Sequence, residues 1–249
     1  MRESDYEKIG DHIQTSIALS DYDRIISPAA TQRIDRWDSF DGLRQASPSG
    51  SVTIERYQIV DGFFVNDTTT GKNAFSTDTS TAAGATGYIA LRGDVVAGPI
   101  TGGHAVRSAE NWWFKVLLAQ SVAPVGGTQE YLVGYLEALP GGTQVDGFYF
   151  RRVNTSNWFL VCRNAGVEST LDMGVDATTT VILLEFRFSL DGGAVDGYYN
   201  NRRVGRITTN IPTNLQSGPF ILHHNRAATV TTAGKLRCYG WGWKGDLVA

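Results

Sequence analysis

The chain has 249 residues, 42% of them apolar and 19% charged, a balance that buries a core and excludes a disordered chain. A net charge of −3 and a pI near 5.8 give no global positive field that would draw nucleic acid. Two cysteines, Cys162 and Cys238, are too few for a disulfide framework and read as buried thiols, and no CxxC or Cys/His cluster points to zinc. The opening MRESDYEKIG has no apolar core of signal-peptide type, and no apolar run approaches about 20 residues, so neither secretion nor a membrane span is expected. The length suits one all-β domain or two small ones.

In chain order, residues 1–26 come first. Tyr6, Ile9, Ile13 and Ile17 recur at spacings of three and four, which predicts one apolar face of a short helix. Such a helix is marginal alone and must pack, either on its own domain or on a neighbouring subunit. Ser27-Pro28 ends it. Residues 33–51 read as irregular chain or an edge strand. Val52 to Val60 alternates as one strand, with Asp61-Gly62 closing a hairpin onto Phe63-Phe64-Val65. The Thr/Ser/Ala/Gly-rich run 67–87 offers little but Phe75 to bury and reads as a long surface loop.

Further strands are expected at 88–91, 95–100, 112–119 and 131–139, the last two strongly apolar. From Phe148 to Pro212 four or five strands follow with turn residues between them: Asn154 to Asn157, Asp191-Gly192-Gly193 and Asn200-Asn201. The last strand, 235–248, places Leu236, Cys238 and Gly240 on one face and Tyr239, Trp241 and Trp243 on the other. Roughly twelve strands with short connections favour antiparallel pairing.

The series GFYFRR, NWFLVCRNAG, LDMGV, LLEFRFSLDGGAV, GYYNNRRVG, TTNIP and SGPF, with ENWWFKVLLAQSV ahead of it, resembles a family of tailed-phage virion proteins. These carry a lectin-like, concanavalin-type jelly roll. The resemblance runs from Asn111 to the end, is looser over 52–100, and leaves out residues 1–40. One departure is the Asn200-Asn201-Arg202-Arg203 hairpin, where the family has Asn-Gly; Asn still tolerates the positive φ, and the tip now carries two cations. The resemblance implies an all-β, antiparallel β-sandwich over 41–249 behind a partly helical N-terminal arm, 1–40. It further implies a non-enzymatic virion-surface protein assembled in the host cytoplasm, with no cofactor. Its first functional implication is a capsid decoration or cement subunit whose partners are the major capsid protein and further copies of itself. The alternative is a tail adhesin that binds a host-surface glycan.

Jelly rolls include glycosidases, which need a carboxylate pair on alternate positions of one strand. Glu185 has Arg187 as its same-face neighbour, which reads as a surface ion pair, and Glu130 and Glu137 lie on opposite faces of a continuous strand. His12, His104, His223 and His224 accompany no nucleophile elbow, and adjacent His223 and His224 point to opposite faces. Asp191 and Asp196 flank a Gly-Gly turn and read as turn residues. The remaining candidates are Tyr6, Ile9, Ile13, Ile17, Arg202 and Arg203 for subunit or capsid contact, and Trp112, Trp113, Trp241 and Trp243 for stacking on a glycan.

Overall fold

A computed structural model describes residues 32–39, 51–54, 57–67, 72–77, 82–91, 105–107, 113–123, 125–136, 146–176, 180–212, 214–216, 219–227, 231–232 and 234–247. The expected helix with Tyr6, Ile9, Ile13 and Ile17, the expected strand at 95–100, and Trp112 lie outside these residues. Within them run eighteen strands: β1 (Gln32–Ser39), β2 (Ser51–Ile54), β3 (Tyr57–Val60), β4 (Gly62–Asp67), β5 (Lys72–Thr77), β6 (Thr86–Leu91), β7 (Ala105–Arg107), β8 (Trp113–Val122) and β9 (Thr128–Leu136). They continue as β10 (Gly147–Val153), β11 (Phe159–Asn164), β12 (Val167–Asp172), β13 (Ile182–Phe188), β14 (Val195–Tyr199), β15 (Arg202–Ile207), β16 (Asn214–Gln216), β17 (Pro219–Ala227) and β18 (Lys235–Leu247).

The strands form two large sheets and a small one. The first sheet has the order β15-β14-β13-β8-β18-β5-β4, with β1 also paired to β18. The second has the order β12-β11-β10-β9-β17-β6-β3-β2, and β16 pairs with β7. Every pairing is antiparallel. This is the all-β antiparallel sandwich that the alternation and the turn residues lead one to expect.

Period-two alternation builds the core. Phe114, Val116, Leu184, Phe186 and Phe188 of the first sheet meet Tyr131, Val133, Tyr135, Phe148 and Phe150 of the second. The two sheets touch through aromatic edges: Phe114 to Tyr135 at 5.6 Å and Phe148 to Phe188 at 4.7 Å between ring centroids. Such edge-to-face pairs add to the burial itself. Cys162 and Cys238 are unbridged and buried within this core, and burial pushes the Cys162 thiol up to about 12 and Cys238 further in the same direction.

Several local expectations need correction. The run 67–87 is not a long loop: it holds β5 and the start of β6, and Ala74, Phe75, Ser76 and Thr77 are all buried. Its polar residues fit because they are hydrogen-bonded; the Thr77 Oγ1 accepts the Leu236 amide at 3.1 Å. Residues 52–60 are two strands, β2 and β3, paired to each other with Ile54 opposite Tyr57. Asp61-Gly62 closes no hairpin, because β3 belongs to the second sheet and β4 to the first; Asp61, at φ 43°, turns the chain from one layer to the other.

Two further corrections concern phase. The stretch after Asn164 makes a separate strand, β12, through a hairpin with Ala165 and Gly166 at φ 49° and 79°, so six strands occupy 148–212. In β18, Cys238 pairs with Leu118 and Gly240 with Leu117, which leaves Tyr239 as the extra residue of a bulge. The bulge resets the alternation. Leu236, Cys238, Trp241 and Trp243 therefore all enter the core, and Tyr239 packs on the other side with Ala74 and Ala119.

Candidate functional site

The two sheets differ on their outer faces. That of the second sheet has an apolar centre, with Leu132, Tyr149, Val161, Phe220 and Leu222 in one buried cluster, beside the Arg151–Glu168–Arg163 and Glu130–Arg226 ion pairs. That of the first sheet carries charge and aromatic rings near its β15 edge.

Register places these residues in two rows across four strands. In one row Trp113 pairs with Arg187, Arg187 with Asp196, and Asp196 with Arg206. In the next, Lys115 pairs with Glu185, Glu185 with Tyr198, and Tyr198 with Arg203. Their neighbours in sequence, Phe114, Phe186 and Val195, belong to the core, so the alternation aims both rows away from it. Gly197 confirms the sense of the face: a Cβ there would lie 3.0 Å from Leu171 Cδ2 and 3.1 Å from Met173 Sδ. Both belong to the chain around the second sheet.

A bulge completes the arrangement. Gly197 pairs with Gly205 and Tyr198 with Arg203, which leaves Val204 as the extra residue of β15. In a regular strand Arg203 and Arg206, three apart, would face opposite ways. The bulge brings both onto Asp196. Arg206 donates Nε to Oδ1 at 2.9 Å and Nη2 to Oδ2 at 2.8 Å, and Arg203 donates Nε to Oδ1 at 2.8 Å. The hairpin that returns β14 into β15 has Asn200 and Asn201 at φ 47° and 64°, the turn for which asparagine suits as glycine does.

Glu185 is clamped in the same manner. Arg187 Nε donates to its Oε1, and Lys115 Nζ lies 3.6 Å from that oxygen. The ion pair with Arg187 is as expected, but the carboxylate is buried and not at the surface. Each cation also lies against a ring: Lys115 Nζ is 5.1 Å from the Trp113 ring centre, and the Arg187 guanidinium is 4.6 Å from that of Tyr198.

The electrostatics follow from these contacts. The Arg206 hydrogen bonds, then those of Arg203, hold the Asp196 carboxyl below the usual carboxylate range in spite of its desolvation. The hydrogen bond to Glu185 raises Arg187, and that to Asp196 raises Arg206. Asp196 is thus no proton donor near neutral pH. A general acid needs a raised pKa.

Of the residues expected from the sequence to make contacts or stack, the site contains Arg203 and Trp113. Arg202 is exposed at the adjacent turn. Trp241 and Trp243 are 0% and 3% exposed, which removes them as stacking platforms. Asp196 is no turn residue but the acceptor for two arginines, whereas Asp191 does serve its turn by accepting the Gly193 amide. His223 faces the core, where its ring stacks on Tyr131. Glu130 is buried and paired with Arg226 at 2.9 Å. Lys115, Arg187, Tyr198 and Arg206 were missed as a group, although the Glu185/Arg187 spacing was a signal for part of it. Among the described residues, no cluster of His, Cys, Asp and Glu could hold a metal ion.

No protein-family model matches the chain, and no curated protein matches it in sequence. Solved structures do match. The carbohydrate recognition domain of Emp47p superposes with a TM-score of 0.52 at 10% identity, over 84% of this chain and 94% of that one. The botulinum neurotoxin serotype G binding domain gives 0.51 at 10% identity, over 86% and 48%. The receptor-binding domain of botulinum neurotoxin D gives 0.50 at 12% identity, over 78% and 45%. The chain spans about half the length of these neurotoxin domains. At such identities the likeness establishes the fold alone, a lectin-like antiparallel sandwich.

Proposed function

We propose that this protein is a non-enzymatic carbohydrate-binding module, the receptor-binding part of a tailed-phage virion, and that it holds its glycan on the outer face of the first sheet. The observation that carries this reading is the two-row lattice of Trp113, Arg187, Asp196 and Arg206 beside Lys115, Glu185, Tyr198 and Arg203. A sheet face whose polar groups are already fixed by ion pairs and ring contacts loses little side-chain entropy when a ligand docks. The likeness to a carbohydrate recognition domain and to receptor-binding domains supports the ligand class, and the strand and hairpin motifs support the virion setting. Both carboxylates are committed to cations, which favours binding over hydrolysis.

The test is binding to an array of bacterial surface polysaccharides. Trp113→Ala and Tyr198→Ala should each weaken binding about tenfold, because each ring holds a cation of this face in place, Lys115 or Arg187, with no reducing ends released by the wild type. Full binding by both variants overturns the assignment to this face.

The second reading is a capsid decoration subunit on the virion head, contacting the major capsid protein and its own copies through the arm 1–40. It is favoured by one observation: residues 32–39 of the arm pair with β18 along their whole length, from Gln32 opposite Leu247 to Ser39 opposite Gly240. Anything bound by the preceding residues is thereby tied directly to the sandwich.

A further inference from the structure

Resting on the carbohydrate-binding reading, we infer that the glycan held by this face is an acidic polysaccharide, recognised through its carboxylate or sulfate groups by Arg187, Arg203 and Arg206. A neutral sugar needs acceptors for its hydroxyl protons as well as donors. Here the acceptors are occupied or out of reach: Asp196 Oδ1 takes two arginine N–H groups and Oδ2 a third, Glu185 Oε1 faces Arg187 and Lys115, and Glu185 Oε2 is buried. One face of each ring is taken too, since Lys115 lies over Trp113 and Arg187 over Tyr198.

What remains for a ligand is donor capacity. The side chains of Arg187, Arg203 and Arg206 are 45%, 51% and 46% exposed. A guanidinium has five N–H donors and no acceptor; the ion pairs use only part of each fork and fix its plane. Four cations pair with two carboxylates on this patch, and with Asp191 close enough to act on Arg206 an excess of one positive charge remains in a chain of net charge −3. Planar forks with outward N–H pairs suit bidentate acceptance by an oxyanion. Glu185 and Asp196 act as positioning residues for them.

The experiment measures affinity for four probes: polygalacturonate, dextran sulfate, unmodified dextran, and a single-stranded DNA oligonucleotide as a phosphodiester control. The variants are Arg187→Gln, Arg203→Gln with Arg206→Gln, the charge-keeping Arg203→Lys with Arg206→Lys, and Arg151→Gln on the second sheet. A charge-assisted contact predicts a loss of about tenfold to a hundredfold on the acidic glycan for the Gln variants. The Lys variant should fall between, Arg151→Gln should leave binding unchanged, and added salt should weaken it. The carboxylated and sulfated probes separate the two oxyanion sources. Equal loss in Arg151→Gln, or oligonucleotide binding as tight as the glycan, overturns the inference. Dextran binding that ignores the arginines overturns it too and leaves the carbohydrate reading standing. Binding to no polysaccharide, here or on the array, overturns that reading itself. If a Gln variant melts early, the Lys variant decides: unchanged affinity there means the forks are not used.

Discussion

His223 shows what burial does to a titratable side chain in this sandwich. Its ring stacks on Tyr131 at 4.5 Å, and its Nε2 lies 2.9 Å from Gln129 Oε1, which also accepts the Gly234 amide at 2.8 Å. The shared acceptor makes Nε2 the donor, a role that either protonation state can fill, so it is burial that disfavours the charged ring. Burial, with His224 adding to it, pulls its pKa down to about 3. The unfolded ring protonates near pH 6.5, so the folded state keeps its full advantage above that pH. As the pH falls, the unfolded chain takes up a proton that the folded one refuses, until the folded ring also titrates. Unfolding free energy should therefore drop by roughly 1.4 kcal/mol per pH unit below about pH 6.5 from this group. His223→Gln should remove that share of the slope in denaturant melts between pH 7 and 4; an identical slope in the variant would refute the assignment. Arg152 is buried as well, as Glu130 and Glu185 are. It donates Nη1 to Gln120 and Nε to the Ser156 carbonyl between the rings of Tyr131 and Trp158.

At the scale of elements, the β14–β15 hairpin owes its position to two small residues. Gly197 and Gly205 lie opposite each other, and a Cβ at Gly205 would come within 2.7 Å of Leu171 Cδ1. Their lack of a side chain lets the first sheet approach β12, and that approach sets where Arg203 and Arg206 project. Gly205→Val should overpack this contact and cost about 1–3 kcal/mol of stability. Because the hairpin must move away from Leu171, the same variant should also weaken glycan binding although it touches no ligand. Melting and affinity measured together check this, and unchanged affinity at reduced stability would separate the glycine contact from the site.

For the whole molecule, the question is what the arm does for the sandwich. Residues 32–39 are part of the first sheet through β18, and among the described residues the core that joins the sheets draws on strands from β3 to β18. Deleting residues 1–26 should therefore leave the sandwich folded, with its melting transition kept. On the capsid-decoration reading the same deletion abolishes occupancy of the particle; on the adhesin reading it leaves polysaccharide affinity intact. Occupancy that survives the deletion overturns the decoration reading.

The fold class was legible in the sequence because its signals are local. Alternation in Phe148-Tyr149-Phe150, apolar runs such as Val181-Ile182-Leu183-Leu184, and asparagines able to take positive φ at 200–201 each act within a few residues. The Glu185–Arg187 pair was legible for the same reason, being two residues apart on one strand. The polar strand β5 was hidden because its burial depends on partners such as the Leu236 amide, far along the chain. The site depended on phase. One extra residue flips every side chain after it, and nothing near Tyr239 or Val204 marks them as the extra ones. Tertiary structure alone decided that Trp241 and Trp243 go into the core while Arg203 and Arg206 meet on one carboxylate. Which face a strand presents is settled by its neighbours across the sheet, and those are brought together only by folding.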